Sequence, residues 1–226
     1  MSGRVDPVRA AFRAECARLT EILGELDDAD LDRVTDCPPW TVRELIAHVR
    51  TGAGRLTDML AAPAPPRAEV DAAGYFGAAK FTPEVDAGRI SGGRRDARQV
   101  DRAALSTEFD RAWRAADAAV AAAPSGRVVR TRHGDAMRVT EFLRTRVLEV
   151  GVHGLDLAAA LDRPPWLTPQ AATVIADLLT GGRPVPAELR WDRLTLIRKT
   201  TGRASLTGPE RAAIDAASFR WLAFGR

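Results

Sequence analysis

Apolar side chains recur three and four residues apart at Val8, Phe12, Cys16, Leu19, Ile22 and Leu23, which is the period of one helix face. That spacing predicts a first helix from about Pro7 to Leu26. Leu31 to Pro39 reads as a connector stiffened by Pro38 and Pro39. Thr41 follows with Glu44 three residues on, a capping box that starts a second helix running to about Leu60. Residues 61–93 hold Pro63, Pro65, Pro66, Pro83 and several glycines, so they read as a long crossover. A third helix is predicted from about Arg95 to Ala123 on Val100, Leu105, Phe109, Trp113 and Val120, and Pro124-Ser125-Gly126 stops it. Arg127 to Thr131 suits a short extended piece, and His133-Gly134-Asp135 has turn chemistry, which makes His133 a surface turn residue. A fourth helix is capped by Thr140 and runs to Leu161, before Pro164-Pro165.

Four long helices joined with one long crossover predict an all-α four-helix bundle over residues 1–164. Residues 165–226 read as a small, mostly helical C-terminal extension. Its segments fall around 168–180, 189–200 and 208–217, broken by Gly181-Gly182, Pro184, Pro186 and Gly208-Pro209.

Composition narrows the function classes. The 226 residues are 46% hydrophobic and 28% charged, which excludes a largely disordered chain and leaves room for a well-filled core. The formal charge is +3, but acids are interspersed among the bases, and no basic run alternates with aromatics. Even Gly92-Gly93-Arg94-Arg95-Asp96-Ala97-Arg98 is short and interrupted, so no nucleic-acid partner is expected. No apolar run is long enough to span a bilayer and no leader pattern opens the chain, so no membrane association and a cytoplasmic location are expected. The two cysteines, Cys16 and Cys37, are no disulfide scaffold and are expected to be reduced.

Candidate chemistry centres on the fourth helix. Glu149 and His153 lie one turn apart on one face, and His48 lies on helix two, with Leu45, Gly52 and Leu56 at helical spacing. Two imidazoles and a carboxylate from facing helices make a three-ligand metal set with coordination positions left open. By ligand type the set suits zinc, nickel, manganese or iron. The competing reading is a structural cluster in which Glu149 pairs with Arg146 and both histidines are neutral core residues. Arg146, one turn before Glu149, either reaches the same cavity to hold a carboxylate or braces Glu149. Asp156, three residues past His153, either orients an imidazole or faces solvent.

Trp40-Thr-Val-Arg-Glu-Leu-Ile-Ala-His48, Arg146-Val-Leu-Glu149-Val-Gly-Val-His153-Gly-Leu-Asp156-Leu and the later Thr-Thr-Gly202-Arg203 together resemble the mycothiol-dependent maleylpyruvate isomerase family of the DinB-like superfamily. The resemblance implies a DinB-like bundle with one divalent ion, commonly zinc, on His48, Glu149 and His153. It implies that the ion activates a low-molecular-weight thiol, mycothiol or a similar one, for isomerisation of a small electrophile or S-transfer to it. In that family an arginine of a C-terminal Gly-Arg pair is implicated in catalysis, so Arg203 joins Arg146 as a catalytic candidate; Gly202 is also an ordinary helix C-cap. The extension lacks the long alternating strands of the isomerase's larger C-terminal domain and resembles that of shorter relatives. The alternative function is a metal-containing binding or regulatory module of the same fold without turnover. Oligomeric state is not legible.

Overall fold

The protein is described by a computed structural model covering residues 6–77 and 80–224. Helix α1 (Pro7–Leu23) starts at Asp6, whose carboxylate accepts from Val8 N–H, and a short α2 (Asp28–Asp32) follows. The capping box at Thr41 opens α3 (Val42–Gly54), and after a break at Arg55 the chain continues as α4 (Leu56–Ala61). Next come α5 (Ala72–Tyr75), α6 (Pro83–Gln99) and α7 (Leu105–Ala122). Strands β1 (Val128–Arg130) and β2 (Ala136–Arg138) pair antiparallel, with Val129 opposite Met137, and β2 runs straight into α8 (Val139–Ala160). The chain ends with α9 (Pro169–Thr180), α10 (Arg193–Thr200) and α11 (Gly208–Ala216).

Helices α1, α3, α7 and α8 form the bundle: α8 packs on α1 and α3, and α7 closes the ring against the same two. Phe12, Leu45, Ile46, Phe109, Phe142 and Leu143 fill its centre. Helix α9 lies across α1 and α8, close enough that a Cβ on Gly151 would sit 2.6 Å from Ile175 Cδ1 and 2.9 Å from Leu167 Cδ1, so a larger residue there would force those side-chain ends to move. Glu15, 1% exposed, ties that junction by accepting from the Thr168 N–H at 2.9 Å and hydroxyl at 2.6 Å. Leu189, Leu196, Ile214 and Phe219 form a smaller apolar cluster in the extension.

Three expectations need correction. The crossover ends earlier than residue 93, because Thr82 caps α6 at Pro83 and that helix packs along α3. The expected third helix is two helices, since Val100 turns extended and Asp101 caps a new 3₁₀ turn at Arg102–Ala104. Thr140 is exposed and caps nothing: Arg138 holds the N-cap position of α8, without a side-chain bond.

Candidate metal centre and its cavity

The capping box fixes the start of α3, and with it the phase of His48, Gly52 and Arg55, which fall at i, i+4 and i+7 on one face. On α8 Arg146, Glu149, His153 and Asp156 repeat at three, four and three residues, a polar stripe along a C-terminal part of the helix that is otherwise apolar and mostly buried. The two faces meet where α3 crosses α8. Gly52 makes this approach possible: a Cβ there would lie 3.1 Å from Glu149 Oε1 and 3.2 Å from Arg146 Nη1.

The three sequence-predicted ligands come together. His48 Nε2 is 3.1 Å from Glu149 Oε1, the imidazole rings of His48 and His153 are 5.5 Å apart at 85°, and one donor atom from each residue lies within 4.8 Å of the others. Two ligands each about 2.0–2.1 Å from one tetrahedral ion lie roughly 3.3 Å apart, so the His48 and Glu149 atoms already stand at a ligand-to-ligand spacing. The donor set fits a divalent ion.

Electrostatics keeps these groups in ligand form. Burial pushes the Glu149 carboxyl up, but Arg146, at 2.5 Å, and His48 outweigh it and hold it well below the usual carboxylate range. Burial pushes the His48 imidazole down, against Glu149, and so favours its neutral form. Arg146 is itself 3% exposed, with its guanidinium over the Phe142 ring at 4.7 Å and Nε donating to the Thr145 hydroxyl. It lines the cavity and is bonded to Glu149.

Asp156 does not face solvent. It is buried and accepts from His153 Nδ1–H at 3.0 Å, from the Cys37 thiol at 3.0 Å, and from Arg203 through Nε at 2.9 Å and Nη2 at 2.8 Å. Burial opposes its charge, yet His153 and Arg203 hold its carboxyl well below the usual range. The fork of Arg203 is delivered by the end of α10: Gly202 takes φ +79°, and the Arg203 and Gly202 N–H groups return to the carbonyls of Arg198 and Lys199. The C-cap and the site are thus one feature. A second donor group, Cys37, His153 and Asp156, also lies within 4.8 Å. It is the poorer set, because Asp156 is taken by Arg203, and burial and Asp156 push the Cys37 thiol up to about 12.

A cavity of about 310 Å³ opens beside the cluster. Six cations line it, Arg55, Lys80, Arg89, Arg132, Arg146 and Arg203, against one carboxylate among the described residues, Glu149. Tyr75, Phe76, Phe81 and Phe224 supply aromatic wall. His133, expected on the surface, is half-buried in this lining, 5.9 Å from the Tyr75 ring. Sequence reasoning also missed Trp40, whose ring lies 4.5 Å from His48, and Cys37. The i+7 relation of Arg55 to His48 was a usable clue; the hairpin residues had none.

The sequence profile of the mycothiol maleylpyruvate isomerase N-terminal domain family matches residues 12–158, which spans α3 and nearly all of α8. Among solved structures, that of a mycothiol-dependent maleylpyruvate isomerase is similar in fold, with a TM-score of 0.52 at 19% identity over 76% of this chain and 68% of that one. A histidine-to-alanine mutant of such an isomerase gives a TM-score of 0.51 at 18% identity over the same shares. No curated protein matches in sequence.

Proposed function

The chain belongs to the mycothiol maleylpyruvate isomerase N-terminal domain family, and on that premise we propose that it is a metal-dependent enzyme that uses mycothiol or a similar small thiol on a small electrophile. The observation that carries the reading is the convergence of His48, Glu149 and His153 donor atoms within 4.8 Å at the wall of a ligand-sized cavity. A divalent ion, zinc by preference, bound by these three residues would supply the positive charge that lets a thiol lose its proton near neutral pH.

The protein's own residues set up that chemistry. Asp156 keeps the proton on His153 Nδ1 and so leaves Nε2 free to ligate. Arg146 fixes the Glu149 carboxylate and keeps it ionised. Arg203 locks Asp156 bidentately and places a permanent positive charge at the cavity wall, beside the electrophile. A thiolate would add to one carbon of a conjugated double bond, the π pair moving to the adjoining carbonyl oxygen. Uptake of a proton and release of the adduct is S-transfer, whereas rotation about the former double bond followed by return of the pair and expulsion of the thiolate is isomerisation.

Bundle and extension act as one catalytic unit in this reading, residues 1–164 bringing the ligands and residues 165–226 bringing Arg203. No described helix is long and apolar enough to cross a membrane, which suits a small-molecule enzyme of the cytoplasm. The test is consumption of an electrophile panel that includes maleylpyruvate, with and without mycothiol. Thiol-dependent product formation, lost in Glu149→Ala, is expected; no thiol-dependent turnover from the metal-loaded protein would overturn the reading.

A further inference from the structure

Four of the six cations around the cavity have carboxylate partners. Arg146 pairs with Glu149, Arg203 with Asp156, Lys80 with Asp135 at 2.6 Å and Arg89 with Asp86 at 2.8 Å. Arg55 and Arg132 have none within ion-pair distance among the described residues. They arrive from separate elements, Arg55 from the junction of α3 and α4 and Arg132 from the turn of the β1–β2 hairpin.

Arg55 is half-buried, and its guanidinium makes no hydrogen bond to the described residues; only its backbone N–H and carbonyl are bonded, to Gly52 and Met59. Burial first, then Arg132 and Arg146, push its pKa down, which marks a cation held among cations. The Nε–H of Arg132 donates to His133 Nε2 at 3.1 Å, a bond that requires the neutral imidazole; burial, Arg132 and Lys80 push His133 down to about 4. Tyr75 stands among these groups, its ring 4.5 Å from Lys80 Nζ, and its hydroxyl has no hydrogen-bond partner among the described residues. Two guanidinium groups without a carboxylate partner and a phenol hydroxyl, all lining one cavity, make a convergent donor set for an anion.

We propose that Arg55, Arg132 and the Tyr75 hydroxyl form an anion subsite of the cavity, which takes a carboxylate carried by the electrophile. Arg55 is two helical turns, roughly 10 Å along the axis, from His48. The carboxylate recognised here is therefore several bonds from the carbon that meets the thiol. Guanidinium forks bind carboxylates bidentately, so the subsite selects acids over their esters or amides. The inference rests on the thiol-dependent reading only in calling the ligand an electrophile; the anion site is tested without turnover.

The probe is succinate, compared with dimethyl succinate, titrated calorimetrically into the metal-loaded wild-type protein and into Arg55→Gln, Arg132→Gln and the double variant at low ionic strength. Arg132 is exposed, so its substitution leaves the fold intact. Succinate should bind the wild type, weaken about ten- to hundredfold in the double variant, and outcompete the diester in the wild type but not in the double variant. Equal succinate binding in wild type and double variant, no succinate binding to the wild type, or diester binding to the wild type as tight as the acid, each overturns the subsite. Succinate binding that follows the prediction in a protein without thiol-dependent turnover keeps the subsite and removes the enzymatic reading.

Discussion

Gly52→Ala tests the site without removing any side chain that builds it. The added methyl would lie 3.1 Å from Glu149 Oε1 and 3.2 Å from Arg146 Nη1, which are the atoms facing His48 and fixing the carboxylate. Glu149 must then give way by a few tenths of an ångström. Metal–ligand distances tolerate only about 0.2 Å. The displacement therefore lowers metal affinity by about 10–100-fold, the range seen when residues supporting metal ligands are altered. Stability moves the other way or hardly at all, since alanine in a helix interior is worth about 1 kcal/mol over glycine and offsets the crowding. Gly54→Ala is the control: its methyl would meet only Ala112, at 3.3 Å, away from the carboxylate. Competition against a chromophoric chelator gives the affinity, and urea denaturation of the stripped proteins gives the stability. Wild-type metal affinity in Gly52→Ala, or an equal loss in Gly54→Ala, would refute the reasoning.

Cys37, pushed up to about 12, should alkylate slowly with iodoacetamide at pH 8, and Asp156→Asn should speed it several-fold by removing the adjacent negative charge. Intact-mass kinetics checks this; unchanged Cys37 alkylation in that variant would contradict the Asp156 contact. Glu15→Ala leaves the Thr168 N–H and hydroxyl without their acceptor and should cost about 2–4 kcal/mol in urea denaturation, while Glu15→Gln costs less. Because burial, against the Thr168 bonds, raises the Glu15 pKa above its unfolded value, the folded state holds that proton longer. Stability from this group is greatest at low pH and declines as pH rises from the unfolded value through the folded one; Glu15→Gln should flatten that part of the pH profile, and an unchanged slope would contradict it.

The helices that carry the candidate ligands were legible because apolar positions recur along them and, for α3, because its start is chemically marked. Thr41 and Glu44 set the phase of α3, and that phase alone places His48 and Gly52 toward α8. Helix α6 escaped detection because only Gly93 and Ala97 are buried along it, so it has no apolar stripe; its mark was Thr82-Pro83 followed by Glu84 and Asp86. Strands of three residues are too short to show alternation. Glu149 and His153 were visible as neighbours on one helix. Arg203 reaches Asp156 across 47 residues of sequence, a pairing that neither periodicity nor the family resemblance suggested, although the resemblance had made Arg203 a catalytic candidate. Cys37 and Arg132 sit on loops, whose placement is decided by packing elsewhere.

The central claim is that His48, Glu149 and His153 hold one ion on which thiol chemistry depends, and a metal titration tests it most directly. Chelator-stripped protein is titrated with zinc while mycothiol-dependent consumption of a responsive electrophile is followed. Turnover should rise in proportion to added metal, level off at one equivalent per chain, and stay at background in His48→Ala at the same metal concentrations. Full thiol-dependent turnover in the stripped protein, or a His48→Ala titration identical to the wild type, would contradict the account.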